Sequence, residues 1–165
     1  MSSLRIAPLE RGHRLDTFDS GAGELDDWLR RFALVADAAG TARTYVLLDE
    51  DRVRAYYALT PGSVGRRDLP ERHARGVPAH PIGVILLARL AVDRSLQGRG
   101  YGRALVADAA VRTLQAVDLV GARCMLVHAR DETAAAFYER LGFTRSPTDP
   151  LHLMVLIKDL RRTFG

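Results

Sequence analysis

The sequence predicts a single α/β domain with a mixed central β-sheet flanked by helices. Two observations carry this prediction. Amphipathic helical patterns alternate with β-branched, apolar strand patterns along the chain, and a glycine-rich segment directly follows a long apolar strand pattern. A chain of 165 residues suits one domain, so we expect residues 1–165 to fold as one unit.

The first half of the chain is predicted to form a helix and then a hairpin. Hydrophobic residues recur at helical spacing over 24–36, with charged residues between them. The pattern then predicts two strands, at 44–48 and 53–59. The segment 61–81 holds four prolines and three glycines, and we expect mainly loop there, with a short helix at 68–75.

The second half is predicted to alternate strands with helices. Asp131 can cap one of these helices and Gly142 can end it. The predicted elements are a buried strand at 82–92, a helix at 99–117, a strand at 123–129, a helix at 132–141, a short strand starting at Phe143 and a last strand at 151–157.

Composition favours a cytoplasmic protein without a metal and without a membrane span. Cys124 is the only cysteine, which excludes an intrachain disulfide and fits a reducing compartment. Zinc-binding Cys/His spacings are absent, the N-terminus lacks the apolar core of a signal peptide, and the longest apolar run, 82–88, is too short for a bilayer. The net charge of +4 permits an anionic partner without requiring one.

The segment most informative about function is Gln97-Gly98-Arg99-Gly100-Tyr101-Gly102-Arg103. A strand runs into this turn and the turn opens a helix, whose first N–H groups lack intrahelical partners and attract anions. Arg99 and Arg103 can add charge-assisted contacts to a pyrophosphate. The P-loop and Rossmann spacings do not fit, and glycines alone are also compatible with an ordinary tight turn.

A second informative stretch covers residues 127–143. Ala134, Phe137, Tyr138 and Leu141 share one face of the predicted helix, so Tyr138 has two interpretations. It is either a core residue whose hydroxyl finds a partner or a residue of the chemical site. Cys124 is a poor nucleophile candidate, because it lies in an apolar strand, where a buried and inert cysteine is the commoner case.

These two stretches resemble the GCN5-related N-acetyltransferase (GNAT) superfamily. Its signature Q/R-x-x-G-x-G/A is met by Gln97, Gly100 and Gly102, and 137–143 is similar to the superfamily's helix and following strand. The resemblance implies a GNAT fold, acetyl-CoA as co-substrate bound by the turn amides, and Tyr138 facing the thioester sulfur. It also implies that the backbone of Leu90, Ala91 and Val92 pairs with the pantetheine arm.

A finer resemblance, over nearly the whole chain, is to the GNAT toxins of type II toxin–antitoxin systems. It rests on segments at 18–20, 25–29, 44–46, 56–59, 87–93 and 127–131. The resemblance implies acetylation of the α-amine of an amino acid esterified to tRNA, which blocks translation, and a neighbouring antitoxin, often with a ribbon-helix-helix part. A homodimer is expected by analogy with the fold class.

The expected mechanism is direct transfer in a ternary complex. The neutral amine attacks the thioester, a backbone N–H near Val92 donates to the oxyanion, and Tyr138 donates to the leaving sulfur. His128 and Asp131 are candidates for a water relay. The alternative acceptors are a small-molecule amine or a protein N-terminus, and a non-catalytic, CoA-responsive binding module is a further alternative.

Arginines are the candidate contacts to tRNA phosphates. Arg89 is unusual inside an apolar strand, and it either pairs with a carboxylate or reaches the 3′ end of the substrate. For each of the others a solvated surface position is the alternative. They are Arg66, Arg67, Arg72 and Arg75 in the long loop, Arg30 and Arg31 on the first helix, and Arg161 and Arg162 at the end of the chain.

Overall fold

A computed structural model describes residues 3–165, and within that range the chain forms seven strands and six α-helices. Short 3-10 turns lie at Arg66–Asp68 and Arg94–Leu96. The strands are β1 Leu4–Pro8, β2 Arg43–Asp49, β3 Arg52–Val64, β4 Ile82–Val92, β5 Cys124–His128, β6 Thr144–Arg145 and β7 His152–Leu156. The helices are α1 Gly23–Arg31, α2 Ala33–Ala39, α3 Glu71–Ala74, α4 Tyr101–Val117, α5 Glu132–Arg140 and α6 Ile157–Phe164.

The strands form a mixed sheet in the order β1-β2-β3-β4-β5-β7-β6. β4 and β5 run parallel, whereas β1 with β2, β2 with β3, β5 with β7 and β6 with β7 are antiparallel. The predicted mixed sheet with flanking helices is therefore confirmed. By its internal contacts the chain separates into two compact units: the chain up to Thr60 with Ala88–Ala109, and Pro61–Leu87 with Ala110–Gly165.

The core of the first unit lies between its two N-terminal helices and its strands. Leu29 and Ala33 are fully buried there, together with Val46, Val53 and Tyr56. The prediction of one helix over 24–36 is wrong, because the backbone leaves helical geometry at Phe32 and separates α1 from α2. Both helices bury residues in the same core, so the hydrophobic spacing continues across the break and does not reveal it.

Strand β1 was not predicted from the sequence. It pairs antiparallel with β2, with Leu4 opposite Asp49 and Pro8 opposite Tyr45. Five residues with an irregular burial pattern carry no clear alternation, so only the pairing with β2 defines them as a strand.

The core of the second unit is built on β4, β5 and β7. Val84 pairs with Cys124 in the parallel register, and Cys124 pairs with Leu156 in the antiparallel one. Helix α6 follows β7 directly and buries Leu160, although the sequence pattern predicted only a strand ending at 157. Eight residues with one buried apolar side chain are too short for helical periodicity to indicate a helix.

The proline-rich segment contains more regular structure than predicted. β3 continues through Pro61 to Val64, beyond the predicted end at 59. The short helix expected at 68–75 is present as the four residues of α3. No helix in the described range is both long and apolar enough to cross a membrane.

Candidate active site

The glycine turn between β4 and α4 has the backbone geometry predicted for an anion site. Gly98 and Gly100 have φ values of 77° and 86°, in the left-handed region that side chains disfavour. A Cβ at either position would meet nothing within 4 Å, so backbone conformation rather than crowding requires glycine. The first intrahelical bond runs from Ala104 N–H to Gly100 O, which leaves the amides of the first α4 turn for another acceptor.

Two side chains of the first unit hold this turn in place. The carboxylate of Asp93, only 6% exposed, accepts from the N–H and Oγ of Ser95 and from the N–H of Asp19. Burial alone would raise the pKa of Asp93, but these hydrogen bonds outweigh it and lower the pKa. Gln97 Nε2 donates to the carbonyls of Ser20 and Val92, at 2.8 Å each, so its side chain fixes the turn.

Cationic side chains of the turn lie in solvent. Arg99 and Arg103 are exposed and form no ion pair with any residue of 3–165. Both are therefore available to a phosphate group. Leu90, Ala91 and Val92 form the end of β4, and the pairing of β4 with β5 stops at Leu87.

Arg89 has an aromatic partner. Its guanidinium carbon lies 4.4 Å from the ring centroid of Trp28, a cation–π distance. Trp28 in turn stacks on Tyr56, with centroids 6.0 Å apart and planes within 12°. The expected alternative of a carboxylate partner is not found among the described residues. Arg89 is thus a pre-oriented cation.

Tyr138 lies on α5 in the second unit and is packed as a core residue, which is one of the two interpretations that its sequence position allowed. Its ring packs edge to face on Phe137 and Phe143, with centroids 5.1 and 5.6 Å away, and the residue is 7% exposed. Within residues 3–165 its hydroxyl has no hydrogen-bond partner. Burial raises the pKa of Tyr138 well above its ordinary value, so the hydroxyl stays protonated and can donate.

Two other candidates serve the local structure. Asp131 accepts from Ala134 N–H at 2.9 Å and so caps α5, as predicted. Burial raises the pKa of Cys124 to about 12, so at neutral pH the residue is a thiol and not the thiolate that a nucleophile requires.

His128 stacks on His152, a partner that the sequence did not indicate. The ring centroids are 3.9 Å apart and the planes differ by 16°. The two residues face each other across the antiparallel pair of β5 and β7. Partial desolvation of the ring, and secondly the neighbouring His152, lower the pKa of His128, which favours a neutral ring at pH 7.

The candidate tRNA-binding arginines divide into engaged and free side chains. Arg72 is bound by Asp159 at 2.7 Å, Arg161 lies 3.2 Å from Asp118, and Arg162 lies 3.2 Å from Asp159. Arg30 donates to Phe18 O and Arg31 lies over the Phe32 ring. The side chains without an ion pair inside the described range are Arg66, Arg67 and Arg75.

Sequence reasoning missed Asp93, Trp28 and His152. For Asp93 a signal existed: an aspartate directly after a strand and two residues before a serine is typical of a side-chain-capped turn. For Trp28 and His152 no local signal exists, because their partners are 61 and 24 residues away in the chain (89 − 28 and 152 − 128).

The fold and the turn define the class of this protein, an α/β protein in which β4 leads through a glycine turn into a helix whose first amides have no intrahelical partner. Comparison with known families gives the family. The sequence model of the acetyltransferase (GNAT) domain family matches residues 40–145, so the chain belongs to the GNAT acetyltransferases. The predicted family, fold class and transferase activity are confirmed.

Three relatives make the comparison more specific. The tRNA-acetylating toxin of Mycobacterium tuberculosis (strain ATCC 25618 / H37Rv) is 50% identical over 149 residues, 90% of this chain and 89% of the relative. AtaT complexed with acetyl-methionyl-tRNAfMet superposes with a TM-score of 0.91 at 30% identity, covering 99% of this chain and 100% of that one. A tyrosine-to-phenylalanine mutant of AtaT, bound to the C-terminus of the antitoxin AtaR and to acetyl-CoA, superposes with a TM-score of 0.84 at 30% identity. The match covers 98% of this chain and 98% of that one.

Proposed function

We propose that this chain is a toxin of a toxin–antitoxin system that transfers an acetyl group from acetyl-CoA to the α-amine of an amino acid on charged tRNA. The observation that carries the proposal is the 50% identity, over nine-tenths of the chain, to a tRNA-acetylating toxin. The blocked amine cannot accept a growing peptide, so translation stops. We place this activity in the cytoplasm, where charged tRNA is used.

Acetyl-CoA is assigned to the turn of the first unit. The amides of Gly98–Arg103, together with Arg99 and Arg103, would bind the pyrophosphate. The backbone of Leu90, Ala91 and Val92 would pair with the pantetheine arm, and an N–H near Val92 would donate to the oxyanion. Support for the turn comes from the left-handed glycines and the exposed, unpaired arginines.

Tyr138 is assigned to the leaving group. When the amine attacks the thioester carbon, the bond to sulfur breaks and the thiolate carries the electron pair away. A buried, protonated hydroxyl without another partner favours donation to that sulfur. The raised pKa makes a strong hydrogen bond to the sulfur the main contribution, since full proton transfer from so weak an acid is unfavourable.

The acceptor amine needs little help from a base. A free α-amine has a pKa of about 7.7–8.0, and esterification of the neighbouring carboxyl withdraws electrons and lowers it further. A large neutral fraction therefore exists at pH 7. Asp131 is occupied as a helix cap, which supports a mechanism without a strong protein base.

A cognate antitoxin that neutralises the enzyme is proposed by analogy with AtaT, which was solved with the antitoxin AtaR. A ribbon-helix-helix part in that antitoxin follows from the family resemblance alone, and a homodimer of the enzyme from the fold class alone. Unpaired arginines suited to tRNA phosphates are Arg66, Arg67 and Arg75, with Arg89 held on Trp28 as a further cation.

The test is transfer of label from radioactive acetyl-CoA to a total pool of charged tRNA, with deacylated tRNA as the matched control. The proposal predicts label on charged tRNA and none on deacylated tRNA. Label that appears only on added amines or on protein N-termini, with charged tRNA unlabelled, would instead assign the enzyme to a small-molecule or protein acceptor.

A further inference from the structure

An open cavity of about 710 Å³ lies within the second unit. Its volume is in the range of pockets that hold small molecules of nucleoside size or larger. The two stacked histidines form part of its wall, with Arg66, His80 and Asp149 also lining it. The residues come from separated segments, so the cavity depends on the fold and not on one loop.

Stacked aromatic rings are the first feature that indicates the ligand. His128 and His152 lie 3.9 Å apart and nearly parallel, and His128 is exposed. Each ring uses one face for the other ring, which leaves the second face of His128 for a further planar group. Flat aromatic platforms of this kind bind nucleobases in single-stranded nucleic acid, without reading their sequence.

The rim supplies hydrogen-bonding groups rather than a surplus of positive charge. The Asp149 carboxylate accepts from Leu151 N–H and lies 3.4 Å from His152 Nε2. Asp68 accepts from Gly65 N–H and from Thr148 Oγ1 at 2.7 Å, which fixes the wall. Two carboxylates beside one free arginine suit ribose hydroxyls and an amine better than a bare phosphate.

We propose that this cavity binds the terminal nucleoside of the charged tRNA, with its base stacked on His128. The proposal rests on the function proposed above and extends it, because it assigns the part of the substrate next to the acylated ribose. Arg66, at the rim, then contacts the phosphate that precedes this nucleoside. His128 is a binding residue in this account and not a proton relay.

The test compares His128→Ala with His128→Phe in steady-state acetylation of charged tRNA. Phenylalanine keeps a flat ring and cannot carry a proton, whereas alanine removes the platform. We expect His128→Ala to raise KM for charged tRNA about tenfold with kcat little changed, because one lost base stack has about that effect. His128→Phe should remain within about twofold of the wild type. His13→Ala, in the first unit and outside this cavity, is the matched control and should behave like the wild type.

Thermal melting of each variant and titration with acetyl-CoA exclude loss of folding as the cause. A KM that rises equally in the phenylalanine and alanine variants, or in neither, overturns the proposal. A fall in kcat alone in both variants would restore the proton relay and overturn it as well. If the wild type leaves charged tRNA unlabelled, the proposed function itself fails, which is a different result from unequal variants of an active enzyme.

Discussion

The glycine turn and the Tyr138 helix are both matched to motifs of the family, but they are built in opposite ways. The turn is exposed and offers backbone amides, with two glycines in left-handed conformation. Tyr138 is buried and offers one side-chain hydroxyl within an aromatic cluster. The properties of the turn depend on its backbone conformation, whereas those of Tyr138 depend on a single functional group, the hydroxyl.

The two regions should therefore respond differently to substitution. A backbone site tolerates side-chain changes but not changes that alter φ, because its donors are the peptide groups. A side-chain site can lose its function through one atom while its packing survives. On the proposed function, we therefore expect the turn to govern affinity for acetyl-CoA and the hydroxyl of Tyr138 to govern the rate of transfer.

Removing the hydroxyl of Tyr138 should have the largest effect. Tyr138→Phe keeps the ring in contact with Phe137 and Phe143, so folding should persist. We expect kcat to fall about a hundredfold or more, in the range for loss of a general acid or equivalent donor. Affinity for acetyl-CoA, measured by calorimetry, should change less than about twofold.

The matched control is Tyr56→Phe in the first unit. Tyr56 is also buried, and its hydroxyl donates to Leu25 O at 2.7 Å. Its loss should lower the free energy of unfolding by about 1 kcal/mol and leave turnover nearly intact. Equal losses of turnover in the two variants would mean that buried hydroxyls matter only for packing.

The next largest effect is expected at Gly100. Gly100→Ala forces a side chain into φ 86°, at a cost of about 1–2 kcal/mol. The dissociation constant for acetyl-CoA should rise about tenfold, since each 1.4 kcal/mol corresponds to a factor of ten. Gly12→Ala is the control, because Gly12 has no positive φ and a Cβ there meets nothing within 4 Å. Unchanged affinity in Gly100→Ala would argue against cofactor binding at the turn.

A smaller effect, with a defined pH dependence, is expected at Asp93. Its folded-state pKa lies below the ordinary 3.8, so its stabilisation is complete above about pH 4 and is lost as pH falls through the lowered pKa. Asp93→Asn should cost about 1–3 kcal/mol of unfolding free energy at pH 7. Urea unfolding of both proteins should show this difference shrinking below about pH 4. A difference that is constant from pH 7 to pH 2 would contradict the assignment to the carboxylate.

The smallest effect is expected at Cys124. With a pKa of about 12 this thiol is not a nucleophile, so Cys124→Ala should leave kcat unchanged. The fully buried side chain makes some loss of stability inevitable. Mass spectrometry of the wild type after mixing with acetyl-CoA should detect no acetylated protein. A transient acetyl group on Cys124 would instead indicate a ping-pong mechanism.

Local signals explain which features could be predicted from the sequence. The turn and α5 are each contained in a continuous segment, with glycines, caps and spacing that act locally, so they were predictable. β1 and the His128–His152 stack depend on strands that pair across the chain. The break between α1 and α2 at Phe32 is hidden for a related reason. Residues before and after Phe32 are buried in the same core, so the hydrophobic residues keep a single helical spacing across the break.

A double-mutant cycle on Gly100→Ala and Tyr138→Phe tests the separation of affinity and rate most directly. Binding of acetyl-CoA and single-turnover transfer to charged tRNA would be measured for the wild type, both single variants and the double variant. We expect affinity to depend on Gly100 alone, the saturated transfer rate to depend on Tyr138 alone, and the two free-energy changes to add within about 0.5 kcal/mol. A strong coupling between the substitutions, or a transfer rate lost in Gly100→Ala at saturating acetyl-CoA, would contradict it.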